Sequence, residues 1–223
     1  MKINTLEIDS VQKRFDEKSV LTDVYLKCET GDIIGLLGRN GSGKSTLLKI
    51  VFGIQNADQK FIRVNGIIKN KTSELLQDIS YLHQDNFIPS NFSVKKAISL
   101  SLKKENVAAF YADEMIKSLR DKYIKQLSGG ELRYLEIKLI LSNSSKFVLL
   151  DEPYNGLSPV MAEKTNELIV ENSQRKGIII TDHNYEKVIQ VATKLILMKE
   201  GKVHHLKDKS ELIEKGYLSQ GML

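Results

Sequence analysis

The stretch Ile33-Ile34-Gly35-Leu36-Leu37-Gly38-Arg39-Asn40-Gly41-Ser42-Gly43-Lys44-Ser45-Thr46 decides the fold. An apolar run leads into Gly38, four residues intervene, and Gly43-Lys44-Ser45 follows; an apolar helical pattern then occupies residues 47–52. A phosphate-binding loop requires this context, a strand before it and a helix after it. The glycines let the backbone curl until successive N–H groups face one centre. The helix start adds free N–H groups and the positive end of the helix dipole. The loop residues Gly38, Asn40, Gly41, Ser42, Gly43, Lys44, Ser45 and Thr46 are therefore the expected contacts of a nucleoside triphosphate. Lys44 is expected to reach the β- and γ-phosphates, and the Ser45 hydroxyl to hold Mg²⁺.

Outward from this loop the chain reads as a single domain over residues 1–223, long enough to bury a core without covalent staples. Lys and Arg number 33 against 28 Asp and Glu, and the net charge of +5 is spread along the chain. A nucleic-acid surface would gather its charge into a stripe, so no nucleic-acid partner is expected. Cys28 is the only cysteine, which excludes an intrachain disulfide and a cysteine zinc set and fits a reducing compartment. The opening residues MKINTLEIDS hold no apolar signal core, and no run reaches the roughly 18 apolar residues of a membrane span. The expectation is a soluble, cytoplasmic chain whose membrane role comes through a partner.

Alternation at Leu6, Ile8, Val11 and Phe15, and again at Val24, Leu26 and Cys28, predicts half-buried antiparallel strands. Asn65-Gly66 between apolar pairs predicts a hairpin. Residues 33–37, 147–150 and 178–180 are short apolar runs, as expected of strands buried on both faces, and residues 79–82 read as another short strand. Helical patterns separate them, so the core is a mostly parallel sheet flanked by helices. Residues 86–140 differ in character. Ser93 caps a helix over residues 94–102, Val107, Phe110, Tyr111, Met115 and Leu119 lie at helical spacing, and a further helix starts at Gly130 or Glu131. This is a small helical insert. Ser158-Pro159 opens another helix, and residues 195–206 read as a closing hairpin.

In a parallel sheet the functional groups lie at the carboxyl ends of strands. Those ends carry the phosphate loop, Gln84, Asp151-Glu152 and His183. Asp151 is expected to face Mg²⁺ through its water shell and Glu152 to face the attacking water. Leu127-Ser128-Gly129-Gly130-Glu131 is a second anion nest before a helix, more than 80 residues after the first. One bound triphosphate needs one such loop. The economical reading is a site shared by two chains, the loop of one subunit and Ser128, Gly129 and Gly130 of the other gripping the same γ-phosphate.

At these residues the sequence resembles the ATP-binding cassette family, over nearly the whole chain and with the motifs in the family's order. GRNGSGKST resembles its Walker A motif, Gln84 its Q-loop, LSGGE its signature, FVLLDEP its Walker B with the catalytic glutamate, and His183 its switch histidine. The resemblance implies the phosphate-loop NTPase fold of class α/β, with an antiparallel β subdomain and a small helical subdomain inserted in the core. It implies ATP and Mg²⁺ as ligands, with Ser45, Gln84 and Asp151 at the metal, Gln84 also relaying nucleotide state to the partner, and Glu152 and His183 at the hydrolytic water. Phe15 lies where the family stacks an aromatic on adenine. Further implied are a head-to-tail dimer, homomeric or with a different cassette, integral membrane permease subunits, and a position at the inner face of the membrane. A soluble relative acting on a protein or nucleic-acid assembly usually carries tandem cassettes or a long coiled-coil insertion, and neither is visible. Two local features point to different subgroups. Gly156-Leu157-Ser158-Pro159, with Ser158 where the family usually has Asp, looks like branched-chain amino-acid importers; Thr181-Asp182-His183-Asn184 and Glu136-Ile137 look like lipopolysaccharide exporters.

Overall fold

The alternating start of the chain forms two long strands, Thr5–Phe15 (β1) and Lys18–Glu29 (β2), paired antiparallel in the computed structural model, which describes residues 3–221. Ile33–Leu37 (β3) follows, buried at every residue, and then the helix Lys44–Phe52 (α1), which Gly53 ends in a left-handed conformation. Gln59–Val64 (β4) and Ile67–Ile68 (β5) form the expected hairpin. Its two turn residues, Asn65 (φ 53°) and Gly66 (φ 77°), both have positive φ, as a turn matching strand twist requires. A single helical turn, Thr72–Leu75 (α2), leads to Ile79–Leu82 (β6).

The region between β6 and the next strand is helical but more broken than its spacing predicts. Val94–Ser101 (α3) begins at Ser93, whose Oγ accepts from the Lys96 amide. The apolar positions from Val107 to Leu119 do not form one helix: Val107–Phe110 (α4) stops, and Glu114–Leu119 (α5) starts afresh. The break is at Asp113, whose carboxylate accepts from the Met115 and Ile116 amides and so caps a new helix. The same carboxylate receives the Tyr134 hydroxyl and the Lys138 ammonium, each at 2.7 Å. Gly129–Ser142 (α6) starts slightly earlier than expected, because Ser128 and Glu131 form a reciprocal capping box.

Phe147–Asp151 (β7), Pro159–Ser173 (α7, capped by Ser158), Gly177–Thr181 (β8) and Tyr185–Val191 (α8) alternate as a parallel sheet demands. Lys194–Lys199 (β9) and Lys202–Leu206 (β10) form the closing hairpin, before the short Glu211–Glu214 (α9). The large sheet runs β10-β9-β3-β8-β7-β6, parallel at every pairing except β9 with β10. The smaller sheet, β2-β1-β4-β5, is antiparallel throughout. Alternate residues of the central strands feed opposite faces. Ile34, Leu36, Phe147, Leu149 and Ile179 pack with α1 and the smaller sheet, whereas Ile33, Leu37, Val148, Leu150, Ile178 and Ile180 pack with α6, α7 and α8. A separate apolar cluster holds the region from Ile88 to Leu139 together. No helix among the described residues is long and apolar enough to cross a membrane.

The two sheets come into close contact at Gly177. A Cβ there would lie 2.7 Å from Cys28 Sγ, 2.8 Å from a Phe147 ring carbon and 2.9 Å from the Glu29 carbonyl oxygen. Gly177→Ala is therefore expected to lower stability in urea unfolding by about 1–3 kcal/mol, the usual cost of overpacking. An unchanged midpoint would mean that the sheets can separate without cost.

Candidate functional site

Parallel pairing of β3, β8, β7 and β6 delivers four loops to one edge of the large sheet. The loop after β3 is shaped by close approach. A Cβ on Gly38 would lie 2.5 Å from the Met198 carbonyl oxygen and 2.7 Å from Ser42 Oγ. Gly43 sits at φ 105°, against Leu21 and the Val20 carbonyl, and is the N-cap of α1 without any side-chain cap. The first intrahelical bond of this turn runs from the Leu47 amide to the Gly43 carbonyl. The donors of the first turn thus point out of the helix end, the arrangement that suits an anion. Ser42 Oγ is buried with no partner among the described residues. An orphaned hydroxyl inside such a loop fits a phosphate oxygen that would satisfy it.

A cleft of about 280 Å³ opens over the loop, lined among others by Val20, Asn40, Gly41, Gly43, Lys44, Ser45, Thr46, Gln84 and Glu152. The Lys44 ammonium is folded onto the loop itself, donating to the Gly38 carbonyl at 2.7 Å and the Arg39 carbonyl at 3.2 Å. Burial pulls its pKa below the usual lysine range, against the carboxylates of Glu152, Asp151 and Asp182. Ser45 Oγ donates to Asp151 Oδ1 at 2.9 Å and lies 3.4 Å from Gln84 Nε2. The three residues expected at Mg²⁺ therefore meet, although they lie on α1, in the loop after β6 and at the end of β7. One carboxylate, one hydroxyl and one amide suit an ion that keeps most of its waters. No cluster of three or more His, Cys, Asp or Glu among the described residues offers an alternative cation site.

Glu152 follows β7 in a left-handed conformation, φ 52°, with its amide donating to the Thr181 carbonyl at 2.7 Å. His183 Nδ1 lies 3.9 Å from Glu152 Oε2 and 3.4 Å from Asp182 Oδ1. Asp182 is buried and itself accepts from the Tyr154 and Asn184 amides, so it fixes the turn that carries His183.

Two expected groups lie elsewhere. Ser128, Gly129 and Gly130 do not line the cleft; both glycines are helical, in the first turn of α6. Phe15 also does not line it. Phe15 is 47% exposed, so it is not a core residue, and the Lys13 ammonium sits 5.0 Å from its ring centre. Ser158, at the position where Asp is usual, accepts from the Met161 amide as the cap of α7. Asp would cap a helix equally well, so the local fold does not depend on this exchange. His204 and His205 make no joint site; His205 contacts the Tyr25 carbonyl.

Three residues at this edge are not evident from sequence reasoning. Tyr81 donates its hydroxyl to Asp151 Oδ2 at 2.8 Å, and burial raises its pKa further, so it remains a donor. Arg133 Nη2 donates to the Asp151 and Glu152 carbonyls, each at 2.8 Å, and Nη1 donates to the His83 carbonyl at 2.7 Å. Glu136 Oε1 accepts from the Phe87 and Ile88 amides. The only signal for the last two is a pair of opposite charges three apart in an otherwise apolar helical pattern.

Comparison with known proteins finds similar sequences and a similar fold. The family model described as ABC transporter matches residues 21–155, more than half of the chain. The lipopolysaccharide export system ATP-binding protein LptB of Escherichia coli K12 is 31% identical over 215 residues, covering 88% of each chain. The sulfate/thiosulfate import ATP-binding protein CysA of Synechococcus elongatus is 28% identical, covering 94% of this chain and 64% of its own. A solved ATP-binding subunit of an ABC transporter superposes with a TM-score of 0.82 at 17% identity, covering 94% of this chain and 92% of that one, which supports the fold.

Removing the Tyr81 hydroxyl leaves Asp151 Oδ2 buried without its donor. Tyr81→Phe is expected to cost about 1–3 kcal/mol in urea unfolding. A variant as stable as the parent would mean that water replaces the phenol.

Proposed function

The chain belongs to the ABC transporter family, and on that premise we propose that it is the ATP-binding and ATP-hydrolysing subunit of a transporter whose membrane-spanning permease is a separate chain. The observation that carries this reading is the meeting of Ser45, Asp151 and Gln84 beside the phosphate loop, with Glu152 and His183 at the same edge. In this reading the triphosphate lies along the loop from Gly38 to Thr46. Its γ-phosphate takes the first-turn amides of α1 and the Ser42 hydroxyl. Lys44 exchanges two neutral carbonyl acceptors for an anionic one, a stronger hydrogen bond. Ser45, Gln84 and Asp151 would hold Mg²⁺, which would neutralise charge on the transferred phosphate. Water attacks the γ-phosphorus as the bond to the β-phosphate oxygen breaks. Glu152 orients that water and takes the proton it loses on attack; His183 supports Glu152 and hydrogen-bonds the γ-phosphate. Phe15, exposed on β1, stacks on adenine.

Geometry also supports the shared site. Ser128 and the following glycines lie away from the cleft of their own chain, so they complete the cleft of a second cassette in a head-to-tail dimer. Coupling to permease subunits places the dimer at the cytoplasmic face of a membrane. The segment from Gln84 to Ile88 leads from the metal-side amide into the helical region, the route by which nucleotide state reaches the permease. The names of LptB and CysA cover both export and import, and both suit a subunit that supplies ATP turnover to another chain.

Glu152→Gln is expected to slow hydrolysis at least about 100-fold, the low end of the range for a lost general base. MgATP binding should persist, and light scattering should find a dimer at saturating ATP; monomer alone would remove support for the shared site. Mixing Lys44→Ala chains with Ser128→Arg chains should restore part of the activity that each lacks alone. In the mixed dimer one cleft keeps both an intact Lys44 and an intact Ser128. Absence of any restored turnover would count against two half-sites.

A further inference from the structure

We propose that Arg133 and Glu136, a buried pair on α6, are positioning residues for hydrolysis: together they hold Glu152 in its left-handed conformation and tie it to the loop that carries Gln84. The inference rests on the reading of Glu152 and Gln84 as groups of an ATPase site.

A glutamate at φ 52° is held against its own preference. It persists only where its surroundings fix it. Here the Glu152 amide is bound by the Thr181 carbonyl, and one nitrogen of Arg133 binds the carbonyls on either side of the Glu152 torsions. The other terminal nitrogen binds the carbonyl of His83, the residue before Gln84. Glu136 takes the two amides at Phe87 and Ile88, 2.7 and 3.2 Å from Oε1. Residues 83–88 are thus gripped at both ends by side chains one helical turn apart, and the same guanidinium sets the backbone of Glu152.

The pair is poorly arranged as a simple ion pair. Arg133 is 3% exposed and Glu136 is fully buried, yet the contact between them is 3.8 Å. Arg133 Nε and Glu136 Oε2 have no hydrogen-bond partner among the described residues. A buried pair of this kind adds little stability over apolar packing. Both side chains instead spend their short bonds, 2.7–2.8 Å, on backbone groups of the site loops. That geometry serves position rather than pairing. A shift of the Gln84 loop pulls on the group that orients Glu152.

The test is steady-state MgATP hydrolysis by the full chain, scaled to the fraction that binds nucleotide, with hydrogen exchange measured in parallel. Arg133→Lys, which cannot span three carbonyls, should lower kcat by about 10- to 100-fold with KM for ATP within about threefold, the pattern of a group that acts only in the transition state. Glu136→Ala should lower kcat about tenfold and speed exchange at Phe87 and Ile88, while Glu136→Gln, whose amide oxygen can accept the same two N–H groups, should restore kcat to within about threefold of the parent. Should Arg133→Lys not fold, the contrast between Ala and Gln at position 136 decides. Unchanged kcat per competent site in Arg133→Lys and Glu136→Ala, or equal loss in Glu136→Ala and Glu136→Gln, overturns the inference. A parent chain that binds but does not hydrolyse MgATP overturns the ATPase reading instead, and unchanged exchange at Phe87 and Ile88 in Glu136→Ala still overturns this one.

Discussion

The hydrogen bonds to Asp151 tie α1, β6 and α6 to the end of β7. Its carboxylate is fully buried at the end of β7, where an unpaired charge would cost several kcal/mol. Ser45 supplies one donor from α1, 106 residues earlier in the chain, and Tyr81 supplies the other from β6. Its carbonyl is taken by Arg133 from α6. Charge-assisted bonds of this kind are about twice as strong as neutral ones. The phosphate loop, the loop after β6 and the loop after β7 are therefore held in one relation before any ligand arrives. The sheet order makes this possible: β6 pairs with β7 in register from Ile79 with Phe147 to Leu82 with Leu150, which sets Tyr81 opposite Leu149, two residues before the carboxylate it serves and so on the same face.

Much of this was legible because backbone chemistry dictated it. The loop from Gly38 to Thr46 needs glycine at positions where no Cβ fits, and a helix directly after it, so its pattern carries its own geometry. The Asn65-Gly66 turn was readable for a similar reason, both residues taking positive φ. Buried strands announced themselves as apolar runs, because each has a packed layer on both faces. Val11 shows where such reasoning fails. Parity from Leu6 and Ile8 would expose it, yet it is fully buried, because β1 shifts register three times against β2, beginning near Ser10 at φ 51°. Each bulge changes which face the next side chain takes. The region from Val107 to Leu119 fails differently. Its apolar spacing is helical throughout, yet Asp113 is drawn to Tyr134 and Lys138 of α6 and restarts the helix.

Tyr81, Arg133 and Glu136 escaped the sequence because their partners are distant or are backbone groups. Tyr81 in a short buried strand reads as a core aromatic, and most of its ring is one, its centre 5.3 Å from that of Phe52. Only its hydroxyl has a second task. Arg133 and Glu136 share a helix face by their spacing, but on α6 that face meets carbonyls and amides of other loops instead of water. Backbone acceptors carry no residue type, so no pattern of letters marks them. What the letters do show is a charged pair interrupting an apolar helix, and burial converts that interruption into a structural demand.

The start of the same helix has the opposite problem, too many donors rather than too few acceptors. The capping box uses the Ser128 and Glu131 amides internally. Those of Gly129 and Gly130 belong to the first turn and have no intrahelical acceptor. A side chain at Gly130 would stand 2.9 Å from the Gly156 carbonyl, so glycine there seats the helix start directly on the turn that follows Glu152. One helix thus touches its own catalytic edge twice, through Gly130 at the turn and through Arg133 at the Glu152 backbone. In the proposed dimer the free donors of that helix serve the other subunit's triphosphate. Any tilt of α6 on engaging that ligand must then be felt at Glu152 of its own chain, because no flexible segment lies between Ser128 and Arg133. In the proposed dimer the physical link between the two clefts is this short stretch of rigid helix.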